Sequence, residues 1–179
     1  MKRPAVFFDR DGVVNVSPGG GYVLSVEDFE LSDGIKEALS VCRERGYALV
    51  LVTSQQGVGK GLMSQADLDA IHAMMQSTLA EASVAFDLIK ACTHLSGSCT
   101  CRKPSPEMIE VATRELELDL SRSWLVGDHD RDILMAQNAG VPHTVRVLSH
   151  HNPGVAATHT IGQVRELAAL LQVHLPPVS

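Results

Sequence analysis

With 179 residues, 45% of them hydrophobic and only 20% charged, the chain has the make-up of one globular domain, not of a disordered segment. A formal net charge of −6 argues against nucleic acid as the main partner, because binding a phosphate backbone wants a basic face. Met1-Lys2-Arg3-Pro4 opens like a secretion signal, but the apolar run behind it is only Ala5 to Phe8, and no stretch approaches the roughly 20 apolar residues of a bilayer span.

Ala5-Val6-Phe7-Phe8 is cut off by Asp9-Arg10-Asp11-Gly12 and reads as a buried strand ending at a turn. Gly34 to Arg45 carries Ile35, Ala38, Leu39 and Cys42 at helical spacing, with Gly46 as a stop and Cys42 as a core residue. Ala48 to Val52 is a second apolar strand, ending at Thr53-Ser54-Gln55-Gln56-Gly57. Ser64-Gln65-Ala66-Asp67 opens a longer helix with Leu68, Ile71, Met74, Met75 and Leu79 along one side. A third, weaker strand spans Phe86 to Ala91, and a helix runs from Pro106 to about Leu116. Ser123 to Gly127 is the fourth strand and ends at Asp128; Val145 to Leu148 is a short fifth, and Ile161 to Leu171 a closing helix. Val16–Tyr22, Leu95–Ser105 and His150–His159 are the least regular stretches. Strands alternating with helices at this spacing predict βαβ units and a doubly wound parallel sheet.

Chemistry-bearing residues follow each of the first four strands. Asp9 and Asp11 follow the first, Thr53 and Ser54 the second, Arg102-Lys103-Pro104 the third, and Asp128 with Asp132 the fourth. Parallel strands place all these ends at one edge of the sheet, where open α/β folds bind their ligands. A lone D-x-D is well explained as a strand-end turn, and a lysine before proline as a loop residue. Together, however, these positions supply carboxylates for a hard cation such as Mg²⁺, with Lys103 and the Thr53 hydroxyl to hold phosphoryl oxygens. Aspartate can also act as a nucleophile that passes through an aspartyl-phosphate.

These four segments resemble the motifs of the haloacid dehalogenase (HAD) superfamily of phosphatases: Asp9-Arg10-Asp11-Gly12, Thr53-Ser54-Gln55, Arg102-Lys103-Pro104 and Gly127-Asp128-His129-Asp130-Arg131-Asp132. The resemblance implies a Rossmann-like core in which Asp9 attacks phosphorus and Asp11 is general acid, then base. It also implies Mg²⁺ on Asp9, Asp128 and the Asp11 backbone carbonyl, with Thr53, Ser54, Gln55 and Lys103 around the phosphoryl group. The segments after the first and third strands are too short for a large cap domain, which predicts a capless, open site.

Cys92-Thr93-His94 and Cys99-Thr100-Cys101 put three of the four cysteines and a histidine within ten residues, directly before Arg102-Lys103. Cys₃His is a closed tetrahedral set for structural Zn²⁺, and an odd cysteine count disfavours disulfides. Cys92, His94, Cys99 and Cys101 are therefore expected to hold zinc in a short loop. Such a loop before Arg-Lys-Pro resembles one subgroup, the D-glycero-D-manno-heptose 1,7-bisphosphate phosphatases and the related histidinol-phosphatases. Gly12-Val13-Val14-Asn15 with Tyr22-Val23 is similar to the heptose branch. Cys-Thr-His-Leu and Gln65 to Asp69, with His72 and Met74-Met75, are similar to the histidinol branch. Ser54, Gln56 and His129 depart from the residues usual at those positions.

A second phosphate needs a second cationic contact, whereas histidinol phosphate carries an amine and needs the opposite. Lys60, Arg102 and Tyr22 are placed as substrate contacts, which tilts the reading to the bisphosphate; a solvated loop lysine is the competing account of Lys60. Rival classes are a receiver-type signalling domain, whose accepting Asp follows a middle strand, and a zinc-bearing interaction module with a dead site. The expectation is thus a single domain over 1–179, monomeric and cytoplasmic. It would act as a phosphatase on a small phosphorylated metabolite, with Mg²⁺ and structural Zn²⁺ and with no membrane or nucleic-acid partner.

Overall fold

In the computed structural model, which describes residues 1–179, six parallel strands form one sheet. They are β1 (Ala5–Phe8), β2 (Ala48–Ser54), β3 (Leu88–Cys92), β4 (Trp124–Gly127), β5 (His143–Val147) and β6 (His159–Ile161), in the order β3-β2-β1-β4-β5-β6. The helices are α1 (Ile35–Glu44), α2 (Gln56–Gly59), α3 (Gln65–Ala80), α4 (Glu107–Leu116), α5 (Asp130–Ala139) and α6 (Leu167–His174). No helix is long and apolar enough to cross a membrane.

β1 lies at the centre, pairing Phe7 with Val50 of β2 on one side and with Leu125 of β4 on the other. All four of its residues are buried, and the period of two sends Val6 and Phe8 to one face and Ala5 and Phe7 to the other. The first face packs with Ile35 and Leu39 of α1 and Leu167 and Leu171 of α6. The second packs with Met108 and Ile109 of α4 and Met135 and Ala136 of α5. A strand buried on both faces must be apolar throughout, which is why Ala5–Phe8 shows a continuous run and no alternation. Cys42 is fully buried in the first of these layers.

The chain winds outward from β1 to β3, then returns to the other side of β1 as β4. Such a reversal opens a crevice at the carboxyl ends of the two strands that flank it. Asp9 and Asp128 follow β1 and β4, so both stand at this crevice. No cap domain covers it: between β1 and α1 there is one short 3₁₀ turn, Val26–Asp28, and residues 93–106 carry no helix or strand.

The predicted architecture holds, with four local differences, the first being α5 (Asp130–Ala139), a helix that the sequence reading did not predict. Ile161 belongs to a sixth strand and not to the closing helix, which starts at Leu167 after a 3₁₀ turn over Val164–Glu166. Ile161, Val164, Leu167 and Leu171 all face one core, so their three- and four-residue spacing imitates a longer helix. α2 is one turn containing Gly57 and Gly59, residues that locally signal a loop. Met74 is only partly buried, whereas its neighbour His72 is buried.

Candidate active site

Asp9, Asp128 and Asp132 bring carboxylate oxygens within 4.8 Å of one another, and all three residues are buried. Lys103 Nζ lies 2.7 Å from Asp9 Oδ1 and 2.7 Å from Asp132 Oδ1. Asp132 Oδ2 also accepts the backbone N–H groups of Asp128 and His129, at 3.2 and 3.1 Å. This last contact is one half of the cap of α5; the His129 ring, accepting the Arg131 N–H, is the other. Gly127 permits so tight a turn, since a Cβ there would stand 2.4 Å from Asp132 Cβ.

Three carboxylates facing one ammonium leave two negative charges uncompensated. Burial, and then the neighbouring Asp132, push Asp9 up to about 8, although Lys103 opposes the shift. Burial and Asp132 likewise push Asp128 up to about 6. Burial would raise Asp132 too, but Lys103 and the His129 N–H outweigh it and hold the carboxyl down. Lys103 responds in kind: burial disfavours its charge, and Asp132 and Asp9 more than restore it. The charge deficit, the oxygen-only donors and the closeness of Asp9 to Asp128 fit a hard divalent cation. Both Asp132 oxygens are engaged, Oδ1 by Lys103 and Oδ2 by two backbone N–H groups, whereas only Oδ1 of Asp9 is taken, so Asp9 and Asp128 are the pair able to ligate.

Asp11 is built differently. Its Oδ1 accepts from Arg10 Nε at 3.2 Å, Arg10 Nη2 at 3.1 Å and Asn15 Nδ2 at 3.0 Å. Its Oδ2 accepts only from Gln55 Nε2, at 3.3 Å. Arg10 is fully buried; its Nη2 also donates to Gln55 Oε1 at 3.1 Å, and its Nη1 lies 3.1 Å from His72 Nε2. Gln55 is completed by a 2.8 Å bond to the Thr53 hydroxyl. Gly12, at φ +87°, turns the chain away beneath Asp128; a Cβ there would lie 2.5 Å from Asp128 Oδ2.

The crevice above these groups holds about 100 Å³, with Asp9, Asp11, Asp128 and Ser54 at its base. The Ser54 hydroxyl is buried without a partner, which leaves it free for an entering oxygen. A larger hollow of about 470 Å³ adjoins at Gly12 and Ser17 but contains none of the clustered carboxylates, so the smaller crevice is where chemistry can occur.

Beside the site, Cys92, His94, Cys99 and Cys101 converge with their ligand atoms within 4.8 Å of one another. Cys92 Sγ lies 3.0 Å from Cys101 Sγ and 3.5 Å from Cys99 Sγ, and His94 Nδ1 is 3.4 Å from Cys101 Sγ. No disulfide forms. Sulfurs on a tetrahedral Zn²⁺ with bonds of about 2.3 Å stand roughly 3.7 Å apart, so the cluster needs only slight expansion. Burial and the crowding of Cys92 and Cys99 push the Cys101 thiol up to about 12.

A family described as HAD-hydrolase-like matches residues 100–161. The D-glycero-β-D-manno-heptose-1,7-bisphosphate 7-phosphatase of Photorhabdus laumondii is 38% identical over 152 residues, which is 80% of each chain. Its Escherichia coli K12 counterpart is 37% identical over 153 residues, covering 80% of this chain and 79% of its own. The crystal structure of D,D-heptose 1,7-bisphosphate phosphatase from B. bronchiseptica, complexed with magnesium and phosphate, matches with a TM-score of 0.86 at 30% identity. That match covers 97% of this chain and 99% of the other.

The chain belongs to the heptose-bisphosphate phosphatase family of HAD-like hydrolases. It is a phosphatase.

Within this phosphatase the sequence-predicted residues fall into three places. Asp9, Asp11, Asp128, Ser54 and Tyr22 line the crevice. Lys103, Thr53 and Gln55 lie buried behind it, Lys103 on Asp9 and Gln55 on Asp11. Lys60 is exposed, with Nζ 2.9 Å from the Tyr22 hydroxyl, while Arg102 is half-buried with Nη1 unpartnered; neither lines the crevice itself. Arg131 and His151 do line it and went unnoticed in the sequence. Arg131 is camouflaged between two aspartates in the fourth motif, and His151 lies in an irregular stretch, so neither shows a local pattern.

Proposed function

We propose that this phosphatase removes the 7-phosphate of D-glycero-D-manno-heptose 1,7-bisphosphate, with Asp9 as nucleophile and Asp11 as general acid and base. The observation that carries this reading is the placement of two unlike carboxylates at the crevice base. Asp9 is held by Lys103 among acids, and Asp11 is held by Arg10, Asn15 and Gln55. The family's named activity supports the substrate.

An Asp9 carboxylate oxygen attacks phosphorus while the bond to the sugar oxygen breaks. The leaving oxygen takes a proton from Asp11, giving an aspartyl-phosphate and the free alcohol. Asp11 Oδ1 already accepts three donors, so Oδ2 is the oxygen able to carry that proton. Asp11 then takes a proton from water, which attacks phosphorus and restores Asp9 as inorganic phosphate departs. Ser54, Thr53 and Lys103 surround the phosphoryl oxygens, and Gln55 positions Asp11. Mg²⁺ would be held by Asp9, Asp128 and the Asp11 backbone carbonyl, and when bound it supplies positive charge to the phosphoryl oxygens. Zn²⁺ on Cys92, His94, Cys99 and Cys101 would fix the loop that carries Arg102 and Lys103. The chain acts as one domain and as a monomer, a reading supported by a crevice whose lining residues come from one copy. Tyr22, Lys60 and Arg102 serve the sugar side, and a basic surround suits a bisphosphate better than the amine of histidinol phosphate.

Steady-state assays of Asp9→Asn and Asp11→Asn with Mg²⁺ test the assignment. Asp9→Asn should fall to background while remaining folded, because an amide is nearly isosteric but cannot attack phosphorus. Asp11→Asn should lose on the order of 10²–10⁴-fold in turnover. Mg²⁺-dependent activity retained in Asp9→Asn would defeat the mechanism, and preferential turnover of histidinol phosphate would move the substrate.

A further inference from the structure

The crevice has a basic wall to which the motif resemblance assigns no role. Arg131, in the first turn of α5, and His151, in the loop after β5, line it together with Tyr22. The flanking acids are already engaged. Asp132 is bonded to Lys103, and Asp130 is paired with Arg146 and accepts the N–H groups of Gly154 and Val155. The Arg131 guanidinium therefore has no carboxylate partner and no side-chain hydrogen bond in the chain. Asp130 does a second job, because its bonds to Gly154 and Val155 tie the loop carrying His151 to the start of α5. The His151 ring also packs edge-on against His129, with centroids 4.3 Å apart, and the backbone N–H of His151 donates to the Ser149 hydroxyl. Arg131 and His151 thus belong to one braced unit.

We infer that Arg131, assisted by His151, is the anchor for the distal phosphate of the bisphosphate, and so sets specificity; this rests on the function proposed above. A guanidinium offers a planar fork that matches two phosphate oxygens, and one left unpaired beside a reacting centre is matched by an anion on the substrate. His151 adds a neutral or charged N–H donor at the same wall. Lys60 is the weaker anchor: its ammonium is exposed and already bonded to the Tyr22 hydroxyl.

The test compares heptose 1,7-bisphosphate with heptose 7-phosphate, which lacks the distal group, in wild type, Arg131→Gln, Arg131→Lys, His151→Gln and Lys60→Ala. Loss of a charge-assisted contact predicts that Arg131→Gln raises KM for the bisphosphate on the order of tenfold to a hundredfold, with kcat within about twofold. The ratio of kcat/KM between the two substrates should fall by the same factor, His151→Gln should lower it less, and Arg131→Lys should restore part of it. Equal losses on both substrates in Arg131→Gln would overturn the inference. So would a selective loss confined to Lys60→Ala, which would place the distal phosphate at Lys60 while leaving the proposed function standing. Wild type that does not prefer the bisphosphate would instead overturn the functional reading itself.

Discussion

The Lys103 ammonium sits 2.7 Å from the Asp132 carboxylate, and both side chains are buried. The pair joins the loop after β3 to the first turn of α5 and aims the same ammonium at Asp9. Asp132→Asn keeps the shape and the acceptor for the two N–H groups but removes the charge. Lys103 should then pair with Asp9 alone, which draws it away from the phosphoryl oxygens. The expected result is a fall in kcat with a destabilisation well below the roughly 3–5 kcal/mol of a fully broken buried pair, because Lys103 keeps Asp9 and one excess negative charge is gone. Denaturant unfolding and steady-state kinetics on one preparation check both; unaltered kcat would mean that Asp132 serves the fold alone.

A second expectation concerns acid. Burial, and then the charge of Arg10, lower His72 from 6.5 to about 4. The folded protein thus binds fewer protons at this site than the unfolded chain, and its contribution is fully present above about pH 6.5. It is lost as the pH falls through 4, by at most roughly 3 kcal/mol at 1.36 kcal/mol per tenfold change in acidity. Melting temperatures of wild type and His72→Gln should therefore converge or cross between pH 7 and pH 4, as wild type loses stability faster. Parallel curves would show that His72 does not titrate in that window.

The third concerns the thiol cluster. Cys99→Ser should lower bound zinc, measured by elemental analysis, and lower the melting temperature, because metal binding at such a site is coupled to folding. Activity should fall through disorder of the loop bearing Lys103, and added Mg²⁺ should not restore it, since Mg²⁺ prefers oxygen ligands. Zinc-free protein of full activity and stability would leave these residues as ordinary thiols.

Much of the candidate site was legible because its signals are local. Asp9 and Asp128 directly follow strands, Thr53 lies near the end of β2 and Lys103 in the loop after β3, and parallel strands put such ends at one edge whatever lies between them. The capping box of α3, in which Ser64 and Asp67 exchange bonds, was likewise written in four consecutive residues. The role of Asp132 was not, because it depends on a lysine 29 positions earlier. The support of Asp11 was hidden for the same reason: Arg10 meets Gln55 across 45 positions and His72 across 62.

By itself the sequence determined the first five strands, most of the helices between them, the acids at the strand ends and the thiol cluster, since spacing along the chain sets them. The tertiary structure alone decided that β6 completes the sheet, that Lys103 divides itself between Asp9 and Asp132, and that Arg131 and His151 line the same crevice as Asp9, Asp11 and Asp128. Those facts come from packing across the sheet edge. There, side chains distant in sequence compete for the same charges and hydrogen bonds, and a one-dimensional pattern carries no record of which partner wins.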